Sequence, residues 1–497
     1  MSFLLALRNV LLRPWRSAFL LFGFSLGVAV MIVLLSIGEA LLSQARDERL
    51  VGGGELTVLP QGIDIEVLKT GGLGGLFFSI DHARFVYRQM LAAPRLSSQI
   101  GTVAPQIEGK LLYLTRAADS ATLPVMAIGE IPSRTRGVGA MPSLASGTWI
   151  DDSLDRRWYS PTPEQLRHEI DNFHLPPPRA RGDSTWAEWH YFNVLSPDRK
   201  RWTFISFILG GQVPDGRWGG QVLVTTHEQG AGSRRYATYA PSGNVRFSTT
   251  RADLDIGEST VRVRPDGNYA VHAVAAEVVT GDRITVDVVL HPAQGVYLPG
   301  GTASEDIISG YVVPALRADA TGTICVRSRC EQLTGVQAYH DHNWGAWKGV
   351  TWEWGAARAG SYTLLYGRVH AEDSAAAARP LFVFLADSLG FLGLFRPRSI
   401  DYDGGRIVSV DGRSVLTPTR ARMLDIRGDD TVRIELEIED ASATDTRRSA
   451  SAPGDPLGGR GLARPYFVQM KGLARLSGRI DGRVVAGEGS GFFETYR

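Results

Sequence analysis

The chain opens with a run free of charged residues, Ser17 to Gly38 (SAFLLFGFSLGVAVMIVLLSIG). As a helix this run is long enough to cross a hydrocarbon core of about 30 Å. A different rhythm sets in from Ser184, where apolar and polar positions alternate along the chain. Arg201–Leu209, Gln221–Thr226, Ser259–Arg264, Ala270–Val279 and Ile284–His291 read as strands, separated by Pro214-Asp215-Gly216, Pro265-Asp266-Gly267 and Gly281-Asp282. The same texture resumes after Trp352, with strands expected at Tyr362–His370, Pro380–Ala386, Arg406–Val410, Thr431–Ile438, Gly472–Ile480 and Val484–Tyr496. Turn signals this close together predict an antiparallel sandwich or barrel, in two all-β halves that meet near residue 345. The pattern between anchor and β region predicts a strand at Glu55–Pro60, a helix opening near Asp81, and a further extended piece in VAPQIEGKLLYL. Residues 146–182 read as a linker carrying a short surface helix at Glu164–Phe173, stiffened afterwards by Pro176-Pro177-Pro178. The low-complexity stretch Ala441–Leu462 reads as a loop.

At 497 residues the chain is too long for one small core, so two or three domains are expected. A net charge of +1 with 21% charged residues offers neither the basic excess of a nucleic-acid binder nor the acidic excess of a disordered tail. Arg8, Arg13 and Arg16 precede the apolar run, whereas Arg46-Asp47-Glu48-Arg49 follows it with balanced charge. The positive-inside rule then keeps the N-terminus cytoplasmic and places everything after about residue 43 outside. The run exceeds the ~7–15 residues of a signal-peptide core, and Glu39-Ala40-Leu41-Leu42-Ser43-Gln44 offers no clear small-residue cleavage site. Leu381–Phe395, interrupted by Asp387 and two glycines, reads as strands and not as a second span. The expectation is a single-pass anchor in the cytoplasmic (inner) membrane with the C-terminal domains periplasmic. Gly23 and Gly27 form a GxxxG pair able to pack on another membrane helix. The two cysteines, Cys325 and Cys330, either clip a short hairpin in an oxidising compartment or stay as thiols.

Candidate chemistry concentrates in Ala338-Tyr339-His340-Asp341-His342-Asn343-Trp344-Gly345. Two imidazoles, a carboxyl, an amide and an indole are costly to bury together unless each finds a partner. On a strand, His340, His342 and Trp344 share one face, while Asp341 and Asn343 share the other. In Trp186–Phe192, Glu188 and His190 likewise oppose Trp189 and Tyr191. We expect the His342/Trp344 face to look into a cavity and Asp341 to tie its strand to the neighbouring one. His340 and His342, with His190, are possible metal ligands, but no third ligand sits at a diagnostic spacing, and neither a metal nor a cofactor is expected. Structural roles compete at each position: the polar stretch as a plug at a barrel mouth, the tryptophans as core. Serine triads, phosphate loops and dinucleotide fingerprints are not evident, leaving hydrolase, NTPase and dehydrogenase readings without support.

The Tyr339–Gly345 stretch resembles the signature of carotenoid 1,2-hydratases (hydroxyneurosporene synthases) and their AttH-like relatives. Ser184–Phe192 resembles that family's opening element, and Gly487-Glu488-Gly489 with Glu494 its closing strand, so the resemblance covers about residues 180–497. It implies two tandem lipocalin-like β-barrels (183–345 and 346–497), a ligand cavity between or within them, and a long, greasy ligand. Hydration of a double bond needs a strong acid, a means of stabilising a cation and a placed water. The resemblance and the residue types nominate Asp341, His342, Trp344, Glu188 and Tyr366 as catalytic. They nominate Trp186, Trp189, Tyr191, His190, His340, Asn343, Trp352 and Trp354 as ligand-binding. The family's Tyr-x-Asp pair is matched here by Tyr366-Gly367-Arg368, and arginine donates no proton; a ligand other than a carotenoid is therefore expected. Residues 1–130 resemble the start of MacB/FtsX-type ABC transporter permeases, in Arg8-Asn9, Arg13-Pro14-Trp15-Arg16-Ser17 and the small-residue-rich helix that follows. This implies a membrane anchor (1–45) and a permease-like extracytoplasmic segment (46–145). Two function classes stand open: an acid-catalysed hydratase or cyclase of a hydrophobic molecule, and a lipid carrier working beside ABC transporter subunits.

Overall fold

The computed structural model describes residues 12, 14–46, 56, 58, 80–118, 120–140, 142, 148–177, 185–212, 216–277, 279–302, 309–347, 350–370, 380–410, 412–445 and 465–497. Most of the strand expected at Glu55–Pro60, Ser184, the Pro214-Asp215 turn and most of the Ala441–Leu462 loop lie outside them. From the N-terminus, helix α1 spans Pro14–Arg46 and α2 spans Ile80–Ala92. Strands β1 (Gln106–Thr115) and β2 (Thr122–Glu130) form a hairpin, followed by the short α3 (Pro132–Gly137) and then α4 (Ser153–Tyr159) and α5 (Pro163–Ile170).

Helix α1 is the one helix among the described residues long and apolar enough to cross a membrane, over Pro14–Gly38. Its large apolar side chains, from Phe19 to Ile37, are exposed. The chain divides into two compact units, residues 1–78 with 102–151 and residues 79–101 with 152–497. The permease-like segment expected over 46–145 is thus split. Helix α2 belongs to the large β unit, where Phe85 packs on Tyr297 and Phe391, while the β1–β2 hairpin belongs to the other.

The large unit is built from two β-domains. In the first, strands run β3 (Trp186–Leu195), β4 (Arg201–Gln212), β5 (Arg217–Glu228), β6 (Gly232–Pro241), β7 (Val245–Phe247), β8 (Leu254–Ile256), β9 (Ser259–Val263), β10 (Tyr269–Glu277), β11 (Arg283–Pro292), β12 (Leu298–Thr302), β13 (Ser309–Val326) and β14 (Arg329–Ala346). Eight of them close a ring in the order β3-β4-β5-β6-β10-β11-β13-β14 and back to β3. Closure gives each of these eight strands a partner on both sides, and inward residues such as Phe192, Phe207, Val224, Tyr269 and Val286 fill the interior. Cys325 and Cys330 face each other across the β13–β14 hairpin and are disulfide-bonded.

The second domain comprises β15 (Thr351–Ala359), β16 (Tyr362–His370), β17 (Phe382–Asp387), β18 (Gly390–Phe395), β19 (Asp401–Asp403), β20 (Arg406–Val410), β21 (Arg413–Thr417), β22 (Arg420–Arg427), β23 (Asp430–Asp445), β24 (Tyr466–Ile480) and β25 (Arg483–Tyr496). Nine of these form an open sheet, β18-β17-β16-β15-β25-β24-β23-β22-β19, curled as a half-barrel over a core that includes Leu364, Tyr366, Ile434 and Phe493. The lipocalin-like pair is therefore one closed barrel and one half-barrel. Strand β23 runs through Ala441 to Asp445, beyond where the loop was expected to start.

A third apolar cluster joins the two domains. Tyr191, Phe204 and Tyr339 from the barrel meet Trp354, Phe382, Phe384 and Phe492 from the half-barrel, with Phe85 of α2 against them. This seam is the outer face of β3 and β14. The alternation along these two strands thus sends one set of side chains into the barrel and the other into the seam.

Candidate functional site

The segment read as a linker is the first departure with consequences. Helix α5 starts with a capping box between Thr162 and Gln165 and a proline at its first turn, and it ends at Asp171. It then leans into the barrel. Arg167 is buried and donates to the Pro314 carbonyl, and His168 Nδ1 accepts the Ala252 amide at 2.9 Å. Phe173 joins the barrel core. The expected surface helix is a plug: Arg167, His168, Asp171 and Phe173 reach into the barrel, while Glu169 pairs with Arg84 and Arg157 and Ile170 packs against the cluster around Phe85.

Asp171, carried in by this plug, is 0% exposed and sits amid inward-facing histidines. Its Oδ1 meets His342 Nδ1 at 2.7 Å, and its Oδ2 meets His340 Nε2 at 3.0 Å and the Tyr269 hydroxyl at 2.8 Å. His342 Nε2 reaches Glu188 Oε1 at 2.8 Å. Glu188 also accepts the His174 amide on both oxygens, at 2.8 and 2.9 Å, and faces His174 Nδ1 at 3.0 Å. The register makes this meeting possible, since β14 pairs with β3 so that His342 lies opposite His190, His340 opposite Phe192, and Trp344 opposite Glu188. Phe192 stacks on His340 and His174 stacks on Trp344, with ring centres 4.0 and 3.7 Å apart. Gly310, across from Trp344 on β13, leaves room for the indole, which would lie 2.3 Å from a Cβ there.

The charge states follow from the partners. Burial alone would pull the His342 ring down, but its hydrogen bonds to Asp171 and Glu188, and their charges, outweigh this and raise it to about 9. Burial pushes the Asp171 carboxyl up, and its electrostatic contacts with the neighbouring histidines and its hydrogen bonds from His340 and His342 reverse this, holding it well below the usual range. His190 is pushed well down, by burial first. Its Nε2–H donates to the Ala252 carbonyl at 2.9 Å, so Nδ1 is a buried lone pair without a hydrogen bond, 3.5 Å from Asp171 Oδ1.

The opposite face of the same strands carries a different network. Asp341 accepts the Tyr339 hydroxyl and the Asn343 amide, each at 2.7 Å, and Trp354 Nε1 donates to the Tyr339 oxygen at 2.9 Å. Asp341 therefore bonds to residues of its own strand and, through Tyr339, to the second domain; it does not tie β14 to a neighbouring barrel strand as expected. Glu494 of β25 accepts the Tyr191 hydroxyl at 2.8 Å and Trp352 Nε1 at 3.1 Å, with Gln469 at 3.4 Å. Neither carboxyl has a cationic partner among the described residues. Burial pushes Asp341 up to about 8, against the opposing bond from Tyr339, and burial likewise raises Glu494. Both are covered, at 2% and 5% exposure, whereas Asn343, Trp189, Trp352 and Gln469 around them are half-buried.

The residues nominated from sequence thus divide. Glu188, His190, His340, His342 and Trp344 meet inside the barrel, and buried Trp186 shares their face of β3. Trp189, Tyr191, Asp341, Asn343, Trp352 and Trp354 meet at the seam, where Trp189 packs on Trp347. Tyr366 joins neither network. It lies in the half-barrel core, 0% exposed, with a hydroxyl that has no hydrogen bond and a ring stacked toward Phe493. Parity explains this: on β16, Tyr366 shares the inner face with Leu364, and Leu365 takes the seam. Arg368 is ion-paired at 2.6 Å with buried Glu353. Sequence reasoning missed Asp171, His174 and Tyr269. The signal for the first two was the Asp-Asn-Phe-His run directly after a capped helix, polar and aromatic residues where a linker needs neither.

No protein-family model and no curated protein matches the chain. Among solved structures it resembles an AttH-type protein of Nitrosomonas europaea (18% identity, 65% of this chain and 98% of that one, TM-score 0.44). It also resembles CghA with Sch210972 (14% identity, 67% and 97%, TM-score 0.45) and kievitone hydratase from Nectria haematococca (12% identity, 64% and 91%, TM-score 0.39). Likeness at this level assigns no residue a role.

Proposed function

We propose that this protein takes up an elongated apolar molecule of the isoprenoid, polyketide or lipid type at the seam between its β-domains. There it transforms the molecule by acid catalysis, adding water to a double bond or closing a ring, with Asp341 as the proton donor. One observation carries this reading: two buried carboxyls without cationic partners among the described residues, Asp341 and Glu494, are walled by Trp189, Tyr191, Tyr339, Trp352 and Trp354. A carboxyl kept from water and from counter-charge holds its proton, which is the state an acid catalyst needs.

In hydration, the Asp341 O–H proton goes to one alkene carbon and leaves a tertiary cation on the other. Aromatic faces stabilise such a cation by about 2 kcal/mol each when dry. Water then bonds to the cation and returns a proton to the carboxylate, so that the net change is one added water. In cyclisation, a second double bond supplies the electron pair in place of water, and proton loss closes the cycle. Because both acids are covered, the half-buried rim of Asn343, Trp189 and Trp352 must part for the ligand. Helix α1, with its exposed apolar side chains, serves in this reading as an inner-membrane anchor, with the β-domains on the periplasmic side.

The test is mass spectrometry on organic extracts of the full chain purified from membranes, wild type beside Asp341→Asn. The expected result is a precursor on the variant and a species heavier by one water, or a cyclic isomer, with the wild type. One unchanged lipid retained by both proteins would instead mark a carrier serving an ABC transporter, and the catalytic reading would fall.

A further inference from the structure

The inner network holds an arrangement that acid catalysis at the seam does not use. His174 Nδ1, Glu188 Oε1 and His342 Nε2 converge, with all three atoms within 4.8 Å of one another. Glu188 Oε1 is the shared point, 3.0 Å from one imidazole nitrogen and 2.8 Å from the other. We propose that these three atoms bind a divalent transition-metal ion, with zinc the best match to the donor set, and that Asp171 is the positioning residue behind His342.

Four features support the assignment. Two imidazoles and one carboxylate are a donor set that suits zinc and its neighbours, and three protein ligands leave a fourth position free. Metal-bound histidines almost always donate their other ring N–H to a carboxylate, a backbone carbonyl or water. His342 does this with Asp171 at 2.7 Å, and Asp171 is in turn fixed by His340 and Tyr269. The remaining ligands are also held in place: Glu188 by the His174 amide on both oxygens, His174 by its stack on Trp344. Finally, the site has an entrance, because the His174 side chain is 34% exposed while Glu188 and His342 are buried. Metal bonds of about 2.0–2.1 Å in a tetrahedron put donor atoms roughly 3.3–3.4 Å apart, so the donors need to spread by a few tenths of an ångström.

A second convergent set, Asp171, His190 and His340, is enclosed on all sides, and both oxygens of its carboxylate already serve other donors. It acts as the support for His342. The proposed site lies on the barrel face of β3 and β14, away from the seam, and does not rest on the seam chemistry.

The experiment uses the full chain in detergent, without a histidine tag, stripped by a chelator. Zinc chloride is titrated calorimetrically and bound metal is counted by elemental mass spectrometry; cobalt(II) is then added to read its visible absorption. The expected result is one zinc per chain, a cobalt spectrum of a low-coordinate N/O site, and a zinc-dependent rise in Tm. His174→Ala alters a half-exposed side chain and should leave the barrel folded with only a small drop in metal-free Tm, yet weaken zinc binding at least tenfold and abolish the Tm rise. Asp171→Asn should weaken binding while leaving the stoichiometry at one. Absence of stoichiometric binding in the wild type overturns the proposal. So does an unchanged affinity in His174→Ala, which would mean surface adsorption only.

Discussion

The two faces of the β3–β14 pair hold similar residue types in opposite electrostatic states. Inside the barrel, carboxylates and imidazoles meet each other, so Asp171 stays ionised and, in the metal-free protein, the His342 ring is raised despite full burial. At the seam, Asp341 and Glu494 meet only neutral donors, hydroxyl, amide and indole, and burial pushes both upward. The lesson is that burial does not fix a carboxyl's charge; the partners within hydrogen-bond reach do. The inner face is built to hold charge in place, and the outer one to keep a proton available.

The largest effect expected from breaking this contrast comes from Asp171→Asn. It removes the charge that two histidine rings lean on, and leaving a buried charge without its partner costs about 3–5 kcal/mol. A denaturant titration of the variant should show that loss, and a drop comparable to that of Asp341→Asn would erase the distinction between the faces. Asp341→Asn removes no ion pair and should cost about 1–3 kcal/mol.

A subtler effect lies in the pH profile. Glu494 has its folded value raised above the ordinary 4.5. The folded state therefore keeps a proton that the unfolded chain has released, and stability is fullest below about 4.5 and falls as pH climbs toward the folded value. Glu494→Gln cannot ionise, so its Tm should fall less steeply over that window. An unchanged slope would mean that the seam does not hold Glu494 protonated.

The smallest effect is expected at Tyr366. Its hydroxyl is buried in the half-barrel without a hydrogen bond, so Tyr366→Phe should be neutral or stabilising by up to about 1 kcal/mol. Product formation should persist. A large loss of turnover in this variant would restore Tyr366 to the site and place the chemistry in the half-barrel instead.

The local rules of the sequence were sufficient for a good deal. Strand by strand, alternation set His340 and His342 against Asp341 and Asn343, and Glu188 and His190 against Trp189 and Tyr191, because a strand's side-chain period is fixed by its backbone; the β3–β14 register then joined the matching faces. The uncharged run fixed a helix of membrane-spanning length, since length and hydropathy are properties of the segment alone. What the alternation could not say was which face looked where, or which partner waited there. Asp171 reaches His340 across 169 residues, and Glu494 reaches Tyr191 across 303. Those meetings depend on barrel closure, on a capped helix turned inward as a plug, and on two domains pressed at one seam. The charge on each carboxyl was decided there as well, because desolvation and hydrogen-bond partners exist only once the chain has folded.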